Sequence, residues 1–292
     1  MYNAFFGFAE NPFNLSPDPA FLYPSPQHEE ALANLTYGVR SRKGFIVLTG
    51  EVGTGKTMML ECLRDSLHEE GIQFAFLINS RLAVDQFFEL IAHDLDLNCP
   101  ANSKSQVLLA LQQMLLQQAV KGGNTALIID EAHDLSWDVL EEIRMLGNLE
   151  NRTGKLLQIV LAGQPELDRK LDAPNLRQLK QRVVLRFELK GLREAETFEY
   201  IRSRLAKASL EEQTIFAPEM LAEIHRRSQG LPRVINIMCD NLLLTAFALE
   251  QKTVTLGMLD EVTADMRLDW PGRTPYPSPG GPQGDSRGQE PH

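Results

Sequence analysis

Cysteine is scarce in this sequence: Cys62, Cys99 and Cys239 are its only three. They stand far apart with no metal-ligand spacing, and they read most simply as core thiols in a reducing compartment. No uncharged apolar run reaches the ~20 residues that span a bilayer. The first residues lack the basic and apolar stretches of a secretory leader, so no such signal is expected. Positive charge is also in deficit. With 29 Lys+Arg against 39 Asp+Glu, the formal net charge is −10, which offers no general attraction to nucleic acid or anionic lipid. Internal repeats are absent as well. What is there, 43% hydrophobic and 23% charged residues over 292 positions, suits a large globular domain or a core domain with a smaller companion.

Against that background one octet stands out: Gly50-Glu51-Val52-Gly53-Thr54-Gly55-Lys56-Thr57. It fits Gly-x4-Gly-Lys-[Ser/Thr], the loop that wraps a nucleotide triphosphate. An apolar run, Phe45-Ile46-Val47-Leu48, leads in, and a helical stretch from Lys56 to about Glu70 leads out. The glycines let backbone N–H groups turn toward phosphate oxygens, where side chains would block the approach. The following helix N-terminus adds partial positive charge. Lys56 is expected to reach the β/γ-phosphates of ATP and Thr57 to hold Mg²⁺.

Strand-like segments at Phe45–Thr49, Phe74–Ile78, Thr125–Asp130, Gln158–Ala162 and Val183–Leu189 are short and almost continuously apolar, as central parallel strands are. Helical patterns at Val84–Leu97, Gln106–Ala119 and Trp137–Leu149 separate them. This alternation predicts a three-layer α/β sandwich around a parallel five-stranded sheet. After Gly191 the strands stop, and Glu194–Ala208, Pro218–Ser228, Pro232–Glu250 and Gly257–Met266 read as four helices of a small all-helical domain. The expected divisions are therefore residues 28–191 for the α/β domain, opening with a helix from His28 to about Arg42, and 192–267 for the helical one. Residues 1–27, rich in Phe, Pro and Asn, cannot form long helices; their aromatics are expected to pack near the nucleotide site. In residues 268–292 proline and glycine dominate, and a disordered tail is expected.

A second site feature is Ala126-Leu127-Ile128-Ile129-Asp130-Glu131. An apolar strand ending in two acids sets the first at the sheet's carboxyl edge, near the metal. Asp130 is expected to hold Mg²⁺, directly or through water, and Glu131 to polarise the attacking water. The letters Asp130-Glu131-Ala132-His133 also spell a helicase motif, but no second parallel sheet or Gly-Arg-rich motif accompanies them, and His133 is expected to be a local hydrogen-bonding residue. Gln164, after the fourth strand, is placed to orient the water or sense the γ-phosphate. Asn79, after the second strand, is placed to hold Glu131. Arg182 is the candidate for a finger reaching a neighbouring subunit's γ-phosphate, with Arg177 and Arg186 as competitors. Arg233, in Gly230-Leu231-Pro232-Arg233, begins a helix that brings it to the same subunit's nucleotide.

Taken together, these segments resemble an AAA+ ATPase, and more closely the ExeA/GspA-type group. That group includes secretion-pathway ATPases and short ATPases of exosortase and polysaccharide-export loci, and it borders the TniB/TnsC transposition ATPases. The resemblance covers roughly residues 1–267. It rests on Phe5-Phe6-Gly7-Phe8, Asn11-Pro12-Phe13, Pro17-Asp18-Pro19-Ala20-Phe21-Leu22-Tyr23, His28, the phosphate loop, Asp130-Glu131-Ala132-His133, Leu146-Gly147-Asn148-Leu149-Glu150, Gly163-Gln164-Pro165-Glu166-Leu167, Gln181-Arg182 and Gly230-Leu231-Pro232-Arg233. Met58 stands where these proteins often carry a second Thr, beside the nucleotide but not as a metal ligand. The resemblance implies ATP hydrolysis with Mg²⁺, self-association into a ring, and a cytoplasmic location with peripheral attachment at the inner membrane. It further implies a membrane-embedded export or secretion partner. Larger members continue into a membrane helix and a peptidoglycan-binding module; neither is found here, so direct action on the cell wall is not expected. The competing expectation is an ATP-switched DNA regulator of the transposition type. Residues 190–266 carry 9 Lys/Arg against 12 Asp/Glu, a poor footprint for phosphate backbone, so nucleic acid is not the expected partner.

Overall fold

The computed structural model describes residues 2–78, 81–99, 103–152, 154–209 and 214–266. The tail expected at 268–292 and Asn79 lie outside the described residues. Five parallel strands, β1 (Phe45–Gly50), β2 (Gln73–Leu77), β3 (Thr125–Ile129), β4 (Gln158–Gly163) and β5 (Val183–Leu189), form one sheet in the order β2-β3-β4-β1-β5. Alternate side chains on the three central strands enter different cores. Phe45, Val47, Leu127, Ile129, Ile159 and Leu161 face one side. Ile46, Leu48, Ala126, Ile128, Val160 and Ala162 face the other. A strand with two buried faces must be apolar at every position, which is why these segments read as continuous runs rather than alternating ones.

Helices cover both faces. Helices α2 (Pro26–Arg40) and α3 (Lys56–Glu69) seal one with Leu35, Val39, Leu60 and Leu63. The other is covered by α4 (Val84–Asp94), α5 (Lys104–Val120) and α6 (Trp137–Leu146), which contribute Phe87, Leu111 and Ile143. The helix expected from His28 starts two residues earlier, because Pro26 suits the first turn and the Ser25 hydroxyl caps the His28 N–H. The segment expected as helix through Leu149 stops at Leu146. There the chain turns into a small antiparallel hairpin pairing Glu150–Asn151 with Gly154–Lys155. Two short helices not anticipated from periodicity, α7 (Glu166–Leu171) and α8 (Arg177–Lys180), fill the crossover from β4 to β5.

The remaining helices, α9 (Glu194–Ala208), α10 (Pro218–Ser228), α11 (Pro232–Ala248) and α12 (Leu256–Asp265), form the helical lid. Its core includes the first residues of the chain. Tyr2, Phe6, Phe8 and Phe13 are buried with Ile201, Ile224, Met238 and Leu242, and a short helix α1 (Tyr2–Phe6) lies against α11. Polar bonds fasten this strap: Tyr2 and Asn11 both donate to Asp240 Oδ1, and Arg204 donates to the Pro12 carbonyl at 2.9 Å. Aromatics too numerous for an exposed loop find their burial by completing a lid too small to fill its own core.

Phe6 is 1% exposed, so Phe6→Ala should cost about 3–5 kcal/mol of lid stability. Urea unfolding followed by lid-specific probes measures this, and a loss below about 1 kcal/mol would show that the strap is not part of the lid core.

Candidate active site

β1 ends at Gly50, and the turn that follows has no room for side chains at its glycines. A Cβ on Gly50 would meet the Leu189 carbonyl oxygen at 2.6 Å. Gly53 and Gly55 have φ of +84° and +104°, the left-handed region that strains other residues. Helix α3 starts directly afterward, so its unpaired N–H groups open onto the loop. Lys56 is drawn inward: its Nζ donates to the carbonyls of Gly50 at 2.8 Å and Glu51 at 3.0 Å. Burial lowers the Lys56 pKa below the ordinary lysine value, with the Glu131 and Asp130 carboxylates pulling the other way.

The strand register brings the second half of the site to the same edge. Thr49 of β1 pairs with Gly163 of β4, and Ile129 of β3 with Leu161. Asp130 is therefore delivered beside the start of α3, where its Oδ2 accepts from the Thr57 hydroxyl at 2.7 Å. Its Oδ1 accepts from the Glu131 N–H at 2.8 Å. Glu131 has φ of +50°, a left-handed conformation that costs a non-glycine residue about 1–3 kcal/mol. That turn directs Glu131 into a cleft shared with Lys56, Thr57 and Met58. Behind it stands His133, in contact with both Glu131 and Gln164.

Lid and strap close the other walls. Arg233 donates its backbone N–H to the Gly53 carbonyl at 3.2 Å, so α11 begins directly on the phosphate loop. A Cβ on Gly53 would stand 2.7 Å from the Arg233 Cβ. The Arg233 side chain and Val52 line the cleft, with Leu22 and Tyr23 from the strap and Tyr200 and Asn236 from the lid. His28 is legible in the sequence as part of the N-terminal text but not as a site residue. Its Nε2 lies 3.0 Å from the Thr54 carbonyl and its Nδ1 2.6 Å from the Ser25 hydroxyl. A neutral ring donating from Nε2 satisfies both atoms.

Arg182 does not line this cleft. Its Nη1 donates to the Arg144 carbonyl at 2.8 Å, on the flank formed by α6 and α8. Of its competitors, Arg186 pairs with Asp168 at 2.9 Å, and Arg177 is exposed at the start of α8.

The comparisons agree with this geometry. A family model described as "AAA domain" matches residues 39–171. General secretion pathway protein A of Aeromonas hydrophila is 43% identical over 249 residues, covering 85% of this chain and 45% of that protein. The chain thus spans less than half the length of that curated relative. Among solved structures, Cdc6p from Pyrobaculum aerophilum superposes with a TM-score of 0.65 at 18% identity, over 90% of this chain and 70% of that one. The RuvB Holliday junction branch migration motor of Thermotoga maritima gives 0.52 at 15% identity, over 82% and 70%. At such identities these two report the fold alone.

Burial depresses the His28 pKa below its ordinary 6.5. The unfolded chain therefore takes up this proton first as pH falls. The contribution of His28 is full above about 6.5 and is lost from there down through the folded pKa, each unit of depression being worth about 1.4 kcal/mol. His28→Gln can still reach Thr54 but cannot titrate in this range, so its unfolding free energy should fall less between pH 7.5 and 5.5 than that of the wild type. Equal losses in the two proteins would refute the assignment.

Proposed function

This chain belongs to the AAA+ ATPases, in the group of general secretion pathway protein A, and from that premise we propose that it hydrolyses ATP to assemble or energise a cell-envelope export system from the cytoplasmic side. The observation that carries the ATPase reading is the meeting of Lys56, Thr57 and Glu131 in one cleft beneath the lid, with Asp130 bonded to Thr57. The export role follows the name of the Aeromonas relative. No helix among the described residues is long and apolar enough to cross a membrane; a membrane-embedded export component is proposed as a partner.

In this reading the N–H groups of residues 50–57 and of the first turn of α3 bind the phosphate oxygens. Lys56 exchanges the Gly50 and Glu51 carbonyls for the β- and γ-phosphates. Thr57 and Asp130 fit Mg²⁺, because a hydroxyl and a buried carboxylate 2.7 Å apart are the hard oxygen donors that ion takes. Held there by Thr57 and Asp130, Mg²⁺ would supply positive charge that offsets the charge of the phosphates. The described residues hold no cluster of three or more His, Cys, Asp or Glu that could hold a metal. Glu131 polarises the attacking water, Gln164 orients it, and Asn79 restrains Glu131. Arg233 contacts the nucleotide from the lid, and Arg182 reaches the γ-phosphate of the next subunit in a ring.

Lys56→Ala should abolish ATP binding, whereas Glu131→Gln should bind normally and stop turnover. Fluorescent-nucleotide affinity and phosphate release separate the two. Tight binding by the first variant, or normal hydrolysis by the second, would overturn the assignment.

A finger acting across subunits makes each site a shared one. Arg182→Ala should bind ATP but turn it over about 10³-fold more slowly or worse, and wild-type specific activity should rise with protein concentration. Mixing Arg182→Ala with Glu131→Gln should restore part of the activity, because some interfaces pair an intact finger with intact acids. No recovery in mixed oligomers of demonstrated composition would remove Arg182 from this role.

A further inference from the structure

We propose that Arg204 is the positioning residue for the nucleoside end of the cleft, fastening the strap to α9 so that strap and lid enclose and release the nucleotide as one body. The inference rests on the reading that ATP occupies this cleft. It deepens that reading by naming what holds the wall that the phosphate loop does not supply.

Tyr200, Arg204 and Lys207 stand at i, i+4 and i+7 on α9, which sets them in one stripe along the helix. The strap runs along that stripe. Arg204 Nη1 donates to the Pro12 carbonyl at 2.9 Å and to the Asn14 carbonyl at 3.3 Å. Asn236 of α11 supports the same Asn14 carbonyl at 3.4 Å. Further along, Lys207 Nζ donates to the carbonyls of Ala20 at 2.5 Å and Leu22 at 3.3 Å. The two cations thus bracket residues 15–19, and strap residues 14–17 and 21–23 line the cleft. The Phe21 ring is shared by both clamps, its centroid 5.2 Å from the Arg204 guanidinium carbon and 5.9 Å from Lys207 Nζ.

Arg204 is a costly tie. It is only 4% exposed, and its Nε is buried with no hydrogen-bond partner, which opposes stability. What it gains is reach. One planar group holds two strap carbonyls and meets two rings, Phe21 and, at 5.3 Å, Tyr200. An apolar residue could fill the space but could not grip the backbone by its carbonyls. The fastening then changes owner within three residues. Up to Leu22 the strap is held by α9. From Ser25 the chain belongs to the α/β domain, through the cap of α2, the paired bonds between Gln27 and the Lys190 backbone, and His28 on Thr54. Tyr23 and Pro24 bridge the two. A lid that swings from the phosphate loop therefore carries residues 14–22 with it and opens the nucleoside end on two sides at once.

The test uses the full chain with ATP, ADP and inorganic tripolyphosphate, which carries the phosphates without a nucleoside. Arg204→Lys keeps the charge but cannot span two carbonyls and two rings, so a fluorescent ATP analogue should dissociate about tenfold faster. Lys207→Ala lies at an exposed position and should fold as the wild type does while speeding dissociation about threefold. In both variants tripolyphosphate affinity should stay within about twofold, and the cost in turnover should fall on KM rather than kcat. Unchanged dissociation in both variants, an equal loss of tripolyphosphate affinity, or a fall in kcat at unchanged KM would each overturn the proposal. A wild type that binds ATP without turnover would overturn the hydrolysis reading instead, and the dissociation rates would still decide the role of Arg204.

Discussion

The whole site depends on the register of three parallel strands. β1, β4 and β3 lie side by side with no bulge between them, so their carboxyl ends stop at one level. Each end supplies a different chemical part: the phosphate loop after β1, the acid pair after β3, and Gln164 after β4. A one-residue slip of β3 would invert its facing, sending Ile128 into the core that Ile129 now fills and swinging Asp130 away from Thr57. The apolar character of both faces makes that slip costly, because the two cores demand different side-chain shapes on alternate residues. Hydrophobic packing thus sets the 2.7 Å contact between Thr57 and Asp130.

A second dependence links the chain's beginning to its end. The strap supplies Phe6, Phe8 and Phe13 to the lid core, crosses the mouth of the cleft, and reaches the α/β domain at Ser25. His28 then grips the phosphate loop through the Thr54 carbonyl, and Arg233 grips it from the lid through the Gly53 carbonyl. The loop is thus held by backbone carbonyls on one side while its N–H groups stay available on the other. Movement of the lid relative to the sheet would be felt at Gly53 and, through the strap, at Thr54. This is the physical route by which a phosphate's loss in the cleft can become a displacement of the lid.

Much of this arrangement is legible in the sequence, and the limits have physical causes. The strands can be read because burial on two faces leaves a continuous apolar signature, and the lid helices because Pro218 and Pro232 mark their starts. The phosphate loop and Asp130-Glu131 are local motifs with tight spacing. The strap's destination is not legible, since aromatics at Tyr2, Phe6 and Phe8 signal burial without naming a partner. α7 and α8 are too short to show a helical period. His133 reads as a local hydrogen-bonding residue, but its partner is not legible: it bonds Gln164 across two strand ends, and no spacing rule predicts that contact. The same holds for His28, whose partner Thr54 lies across the phosphate loop.

Two polar side chains of the cleft are already hydrogen-bonded within the chain. Lys56 has the carbonyls of Gly50 and Glu51, and Thr57 has Asp130. A nucleotide therefore exchanges hydrogen bonds here more than it adds them, and an exchanged bond contributes only about 0.5–1.5 kcal/mol net. In the proposed reading, the affinity comes chiefly from the phosphate charge, met by Lys56 and the helix N-terminus, and from burial of the base against cleft side chains such as Tyr23 and Tyr200. Only the first of these differs between a triphosphate and a diphosphate. Discrimination between them must then come from residues whose partners change when the terminal phosphate is present, which in the proposed reading are Lys56, Gln164 and, from a neighbouring subunit, Arg182.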